Sequence, residues 1–546
     1  MKLGRLARLA VAAAAALSLA VGVPTALGAE TGPGPVVMGG VTQPVFGYAD
    51  AIRERLWVTA DFDSDLDGVP DEIAMDIIRP AATAGDLKSP VIMDASPYFT
   101  TLCRGNDSEC IADNDGDGLN DKWPLFYDNY FVPRGYAVML LHMVGTGFST
   151  GCPTTGGTPD NRSAVLAIDW LQGRRTAHDQ DGNVVAAGWH NGRAGMIGKS
   201  YDGTLANAAA ATGVQGLSTV VPISAISSWY DYTRSNGVVQ RGNSYPSFLA
   251  NAVTNPDRRA YCAAVRNILA ASDGDEHGDY TPFWAERDYV PDADNVTASV
   301  FVIHGPNDEN VRPDHWSKWW KELKHTPRKL WLTQTGHVDP FDFRRGVWVD
   351  TIHRWFDSEL WRIENGIRFE PEATVERSAG VFADYSQWPD AGMGKVRLRL
   401  GDTGPATAGL LKTGPKPRAF EPRVFQTFQD SPTQGQTTMQ TNLETVTPNR
   451  RVFLTPPLLQ DVRISGTPLV SLHASADQTD TNLGALLVDW GMDTRVQWSV
   501  GDGIRTLTTE DCWGESSPAD EPCYRQTETR TVTAEIERVT KGILDA

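Results

Sequence analysis

Past residue 28 the sequence holds no apolar run approaching the roughly 20 residues that a membrane-spanning helix requires. It has no internal repeat and no low-complexity tract, which excludes solenoid, fibrous and largely disordered architectures. Basic residues are in the minority, 49 Lys and Arg against 68 Asp and Glu. The formal charge of −19 argues against nucleic acid or an anionic membrane as a partner. Cysteine is scarce too, at six in 546 residues.

The one long apolar stretch is at the start. Lys2, Arg5 and Arg8 precede an apolar segment over residues 9–23, and Ala26-Leu27-Gly28 puts small residues at both positions that determine cleavage. This is the pattern of a secretory signal over 1–28 and predicts a secreted, extracellular protein that is not held at a membrane. In an exported chain six cysteines predict disulfides and not metal thiolates. Cys103 with Cys110 and Cys512 with Cys523 are near enough to close small loops, which leaves Cys152 for Cys262.

A chain of this length exceeds one core, and its periodicity changes along the way. Over 29–372 short apolar runs alternate with helical segments. Strands are expected near 55–59, 72–78, 91–94, 136–141, 194–197, 217–223, 299–304 and 329–333, and helices near 164–171, 201–212, 313–323 and 347–363. That alternation predicts an α/β domain whose mainly parallel sheet is covered on both faces. A polar, aromatic insert over about 232–295 breaks the rhythm between two strands and is a candidate lid. Over 373–546 helical periodicity nearly vanishes and turns are frequent. Residues 396–400, 469–473 and 485–489 read as strands there, which predicts a separate all-β sandwich.

The chemistry is concentrated around residues 194–213. An apolar strand runs into Gly198-Lys199-Ser200, and an alanine-rich helix follows from Tyr201 and stops at Gly213. Strand, sharp turn at Ser and helix together make a nucleophile elbow, although the second glycine comes one place late, at Gly203. A serine needs a base, and the base needs an acid to hold its tautomer. Asp308 follows the strand at 299–304, with Glu309 as an adjacent rival acid, and His337 follows the strand at 329–333. Both sit where parallel sheets build their sites, beyond carboxyl ends of strands, and the order Ser, Asp, His is that of the α/β-hydrolases. The backbone N–H of Tyr201 is the expected first oxyanion donor. The second is expected from the loop after the strand at 91–94, where Tyr98 lies.

The elbow, Gly198-Lys-Ser-Tyr-Asp-Gly203, resembles that of the Xaa-Pro dipeptidyl-peptidases and their cocaine-esterase-like relatives, α/β-hydrolase serine peptidases with a G-x-S-Y-x-G form. Further matches are Ile226-Ser-Ser-Trp-Tyr-Asp-Tyr232, Phe283-Trp-Ala-Glu-Arg-Asp-Tyr289, His304-Gly305 ahead of Asp308, Asn310 and Val311, and the segment Gly145 to Pro153. The likeness runs from about residue 50 to the end. It implies an α/β-hydrolase domain with a helical lid, then a jelly-roll-like sandwich that in the family continues beyond a segment like the one at 539–546, so a truncated sandwich is expected here. By the same resemblance Ser200 is the nucleophile, His337 the general base, Asp308 its orienter and Tyr98 a side-chain oxyanion donor. Trp229 and Tyr232 would line a proline pocket. The implied activity is release of Xaa-Pro dipeptides from peptide N-termini through an acyl-enzyme, without a cofactor. For the substrate's free amine the acids to consider are Asp275, Glu276, Asp279 and Glu286.

Two acidic turns share one spacing: Asp63, Asp65, Asp67, Gly68, Asp71 and Asp113, Asp115, Asp117, Gly118, Asp121. Oxygen ligands at alternate positions around a glycine bend imitate the start of a calcium loop, though Ala74 and Pro124 stand where a bidentate Glu is usual. Two other functions therefore stay open: an acyl-ester or amino-acid-ester hydrolase of the cocaine-esterase type, and a non-catalytic, calcium-stabilised binding protein.

Overall fold

In the computed structural model the described residues are 34–103, 110–242, 244–401, 407–414, 425–479, 481–497, 501–513 and 523–545; the leader expected over 1–28 lies outside the described residues. The acidic turn at 61–71 does join a hairpin, of β1 (Ile52–Thr59) and β2 (Glu72–Arg79). The main sheet continues with β3 (Ser89–Ser96), β4 (Ala137–His142), β5 (His190–Lys199), β6 (Leu217–Ile223), β7 (Ser299–His304), β8 (Arg328–Leu332), β9 (Ala373–Ser378) and β10 (Val381–Tyr385). Its order is β10-β9-β8-β7-β6-β5-β3-β4-β2-β1, and two short strands at Ala177–His178 and Val184–Val185 bring the total to 12. From β4 to β9 neighbouring strands are parallel, and the two flanks are antiparallel.

The central strands are apolar on both sides because both sides are covered. In β7, Val300 and Val302 enter one core while Phe301 and Ile303 enter the other; in β4, Met139 and Leu141 oppose Val138 and Leu140 in the same way. The longer helices are α1 (Thr158–Leu171), α2 (Tyr201–Ala211), α3 (Tyr245–Val253), α4 (Ala263–Ser272), α5 (Asp314–Glu322) and α6 (Arg345–Phe356). Helices α1, α2 and α5 pack on the first face, and α6 with the segment around Phe131 packs on the second. Leu205 and Ala206 are fully buried, so the small side chains of α2 let it lie close to the sheet.

Two sequence expectations change here. The helix expected over 347–363 ends at Phe356 and passes into a single π-helical turn, Asp357–Trp361. Asp357 is buried there because Thr42 donates to it from its amide (2.8 Å) and hydroxyl (2.9 Å) and Tyr136 from its hydroxyl (2.6 Å). The main sheet also does not stop at the expected 372/373 boundary. Strand β9 pairs with β8, with Leu330 opposite Ala373, and β10 folds back on β9, so the sheet extends to Tyr385. An ion pair between Arg328 and Glu372 (2.7 Å) fixes that junction.

The insert between β6 and β7 is largely helical, as expected, with α3, α4 and shorter turns. All three expected disulfides are formed, and Cys152–Cys262 ties the start of α4 to the loop after β4. The C-terminal region is rich in strands: β11 (Leu398–Leu400), β12 (Gly409–Thr413), β13 (Phe453–Leu454), β14 (Asn482–Val496), β15 (Ile504–Cys512), β16 (Cys523–Thr529) and β17 (Thr531–Asp545). Among the described residues these form three small sheets, β11-β12-β13, β14-β17 and β15-β16. The strand expected over 469–473 does not form. Leu469 is 93% exposed, and among the described residues no strand beside it supplies hydrogen-bond partners.

At the start of β5, burial drives the His190 pKa down to about 4, opposed by a hydrogen bond to the carbonyl of Ser89 (3.3 Å). The unfolded chain therefore binds a proton that the folded chain refuses between the ordinary value of 6.5 and about 4. This contribution to stability is complete above that window and is lost as pH falls through it. A His190→Gln variant should lose less stability than wild type on going from pH 6.5 to pH 4, by up to about 3 kcal/mol, in urea unfolding at the two pH values.

Candidate active site

Strand β5 ends in an elbow. Ser200 has φ 64° and ψ −122°, a conformation costly for a side chain with a Cβ, and it stands between β5 and α2. Its amide donates to the carbonyl of Ile223 (2.9 Å), which holds the turn to β6. The late glycine now has a reason. A Cβ on Gly203 would lie 2.5 Å from the carbonyl oxygen of Gly198, and one on Gly198 would lie 2.5 Å from the Asp202 Cβ. Strand and helix cross so closely that neither position tolerates a side chain. The first amide of α2, that of Tyr201, has no intrahelical carbonyl to meet and stays available to an anion.

Beyond β7, Asp308 is 2% exposed and its Oδ2 accepts from His337 Nδ1 at 2.7 Å. Its Oδ1 accepts the amides of Asn310 and Val311, both at 2.8 Å. Burial alone would raise the Asp308 pKa, yet it is lowered, because His337, His304 and the amide of Val311 together outweigh burial. Asp308 is thus an ionised acceptor. It fixes His337 as the Nδ1–H tautomer and leaves Nε2 free to take a proton. Of the two adjacent acids, the structure places Asp308, not Glu309, on the histidine.

The two loops are pressed together. A Cβ on Gly305 would lie 2.2 Å from the carbonyl oxygen of Thr335 and 2.4 Å from that of Gly336, and Asn307 Nδ2 donates to the Gln334 carbonyl (2.7 Å). Glu376 on β9 accepts the Gln334 amide (2.6 Å), and the Gly336 amide donates to the Asp502 carbonyl (3.1 Å). The histidine loop is therefore braced from the main sheet and from the C-terminal region alike. Ser200 lies two strands along the same edge, half-buried. Among the described residues its hydroxyl makes no hydrogen bond, so the acid–base pair is assembled while the serine, on the same sheet edge, is not engaged with it. Such links often close only when substrate is bound.

Tyr98, Tyr201, Trp229 and Tyr232 form one edge-to-face series, with ring centroids 6.3, 4.7 and 5.6 Å apart in that order. Trp229 is 1% exposed, and its Nε1 donates to Tyr289 Oη (3.0 Å). The Tyr232 hydroxyl donates to Asn310 (2.8 Å), two residues past Asp308. Tyr201 turns its ring inward, and its hydroxyl donates to Asp160 (2.7 Å). Asp160 also accepts from Thr154 and Gly156, and burial raises its pKa. Sequence reasoning gave no role to Asp160, His304, Asn307 or Tyr289, although His304 and Tyr289 lie in the matched segments. Gly156 was the available signal: a Cβ there would lie 2.0 Å from Trp229 Nε1.

The four acids considered for an amine are each engaged. Asp275 accepts from Arg234 and the Ser244 amide, and Glu286 from Thr158 and Arg287. Glu276 and Asp279 pair with His277 at the surface. Carboxylates that could gather a cation are Asp63, Asp65 and Asp71, and Asp113, Asp115 and Asp117, as the two turns predict.

The sheet order, a serine at the elbow after β5 and an Asp-oriented histidine after β8 on the same sheet edge are those of an α/β-hydrolase of the serine-hydrolase class. Residues 67–339 match the family model described as X-Pro dipeptidyl-peptidase (S15 family), and residues 365–546 match its C-terminal non-catalytic domain. A protein of Streptomyces avermitilis, provisionally named Xaa-Pro dipeptidyl-peptidase, is 45% identical over 92% of this chain and 74% of its own. The Xaa-Pro dipeptidyl-peptidase of Lacticaseibacillus paracasei is 32% identical over 85% of this chain and 64% of its own. A solved α-amino acid ester hydrolase is 16% identical, with a TM-score of 0.49 over 96% of this chain and 90% of that one. The chain belongs to the S15 peptidase family.

Replacing Asp308 by Asn would present the wrong hydrogen-bonding partner to His337. Labelling of Ser200 by a fluorophosphonate should slow by about 10³–10⁴-fold with the fold intact by circular dichroism. Gly305→Ala, remote from substrate, should slow the same labelling at least about tenfold by forcing the two loops apart.

Proposed function

We propose that the chain is a secreted serine exopeptidase that releases Xaa-Pro dipeptides from the N-termini of peptides. The observation that carries this reading is the Asp308–His337 pair on the same sheet edge as the elbow serine, in a chain of the S15 family. The Ser200 hydroxyl attacks the carbonyl carbon of the substrate proline, and His337 Nε2 takes its proton. Negative charge on the carbonyl oxygen falls between the Tyr201 amide and Tyr98. The tetrahedral adduct collapses as His337 returns the proton to the departing amine, and the dipeptide stays esterified to Ser200. Water then repeats the sequence with His337 as base and frees the dipeptide acid.

Proline fits this reading because its ring is apolar and rigid and its nitrogen has no hydrogen to satisfy. The edge-to-face pair of Trp229 and Tyr232 would give such a ring aromatic walls. Export agrees with the apolar leader and with six cysteines that are all paired. The strand-rich C-terminal region, read as jelly-roll-like, would act through its brace on the histidine loop.

Gly-Pro and Gly-Ala anilides separate the possibilities. Wild type should cleave the proline substrate at least about tenfold faster by kcat/KM, and Ser200→Ala should lose about 10⁴–10⁶-fold in kcat. Equal rates on the two anilides, with simple acyl esters cleaved far faster, would instead make the protein an ester hydrolase.

A further inference from the structure

The acidic turn between β1 and β2 contains an unsolved electrostatic problem. Asp63, Asp65 and Asp71 bring one carboxylate oxygen each within 4.8 Å of one another. The Asp63 oxygens accept the amides of Asp67 and Gly68, and Asp71 Oδ2 accepts the Ser64 amide (2.8 Å). Asp65 differs. Its side chain is 10% exposed, its Oδ2 meets Arg258 Nη2 at 3.2 Å, and its Oδ1 is buried with no hydrogen-bond partner. A buried carboxylate oxygen without a donor has lost its hydration for nothing, which costs more than a surface loop ordinarily tolerates. One guanidinium also faces three converging carboxylates.

We infer that Asp63, Asp65 and Asp71 form a binding site for a divalent cation, calcium by its chemistry. The donors are oxygen only, which selects a hard cation over zinc or copper. They come from positions 63, 65 and 71 of a loop bent at Leu66 (φ 64°) and Gly68 (φ 90°), an irregular cage that suits calcium better than the strict octahedron of magnesium. A cation in contact with Asp65 Oδ1 would supply the partner that atom lacks.

The second turn serves as an internal comparison. Its spacing is the same and Asp113, Asp115 and Asp117 converge likewise, but all three are exposed. None of them carries a buried oxygen without a partner. The inference therefore concerns the first turn alone.

Occupancy would matter beyond the loop itself. Ser64, inside the turn, accepts the Cys152 amide (2.7 Å), and Cys152 is bonded to Cys262. Arg258 and Tyr261, from the same stretch of the insert, line a cleft with Asp65 and Asp67. A cation here would clamp the β1–β2 hairpin to the insert.

The position of a twelfth-residue ligand is held by Ala74, so affinity should be in the range of extracellular calcium modules, about 10⁻⁴–10⁻³ M. The test uses the full exported chain, stripped with a chelator and titrated with calcium chloride. At about 10 mM calcium the Tm should rise by about 2–5 °C. Terbium, used alone as a probe, should luminesce by transfer from Tyr261. Both signals should disappear in Asp63→Asn and in Asp65→Asn, and both should persist in the double variant Asp113→Asn/Asp115→Asn. The first of these leaves the Arg258 ion pair untouched, so loss of that pair cannot mimic the result. A wild-type chain indifferent to calcium and dark with terbium overturns the inference. So does a response that survives both first-turn variants or is lost only with the second turn.

Discussion

A single hydrogen bond, from His337 to Asp308, exists only because two loops from neighbouring strands are held at van der Waals limit. The acid would be raised by its burial, yet it stays ionised because two backbone amides and two imidazoles surround it. That stability of charge depends on distance, and the distance depends on Gly305 having no side chain against Thr335 and Gly336. Everything else on that edge is built around this contact. The sheet sets the spacing of the loops, Asn307 and Glu376 pin the histidine loop, and the carbonyl of Asp502 reaches it from the C-terminal region.

The aromatic group beside the serine answers to a different constraint. Tyr201 has two duties that pull in opposite directions along one residue. Its amide opens α2 toward the reacting edge, while its ring and hydroxyl run inward to buried Asp160. Asp160 in turn holds Thr154 and Gly156, and the bare backbone of Gly156 admits the Trp229 indole. The floor of the site is thus locked to the helix that carries the nucleophile. A change at Asp160 reaches the elbow without touching anything that reacts.

What could be read from the chain follows from how local the signal was. Ser200, Asp308 and His337 were legible because each follows an apolar strand by a few residues, and strand ends of a parallel sheet share one rim. Two of the cysteine pairs were legible from spacing, with Cys152 and Cys262 only as the remainder, and the α/β rhythm from alternation of periods. The clamp of Asp160 on Tyr201 was not, since it joins residues 41 apart with no pattern between them. That strands β9 and β10 extend the main sheet was not legible, because their alternation is that of any half-exposed strand. Only the pairing of Ala373 with Leu330 decides where they belong. Residues 469–473 show the converse: an apolar alternation makes a strand only where another strand runs alongside.

Ser200 keeps a backbone geometry that glycine would adopt with less strain. A chain carrying glycine at that position would lose its nucleophile and yet relax, so the inert molecule would be the sturdier of the two. Selection for stability and selection for turnover therefore push this one residue in opposite directions. The serine survives only as long as the reaction it performs is worth more to the organism than a calmer turn.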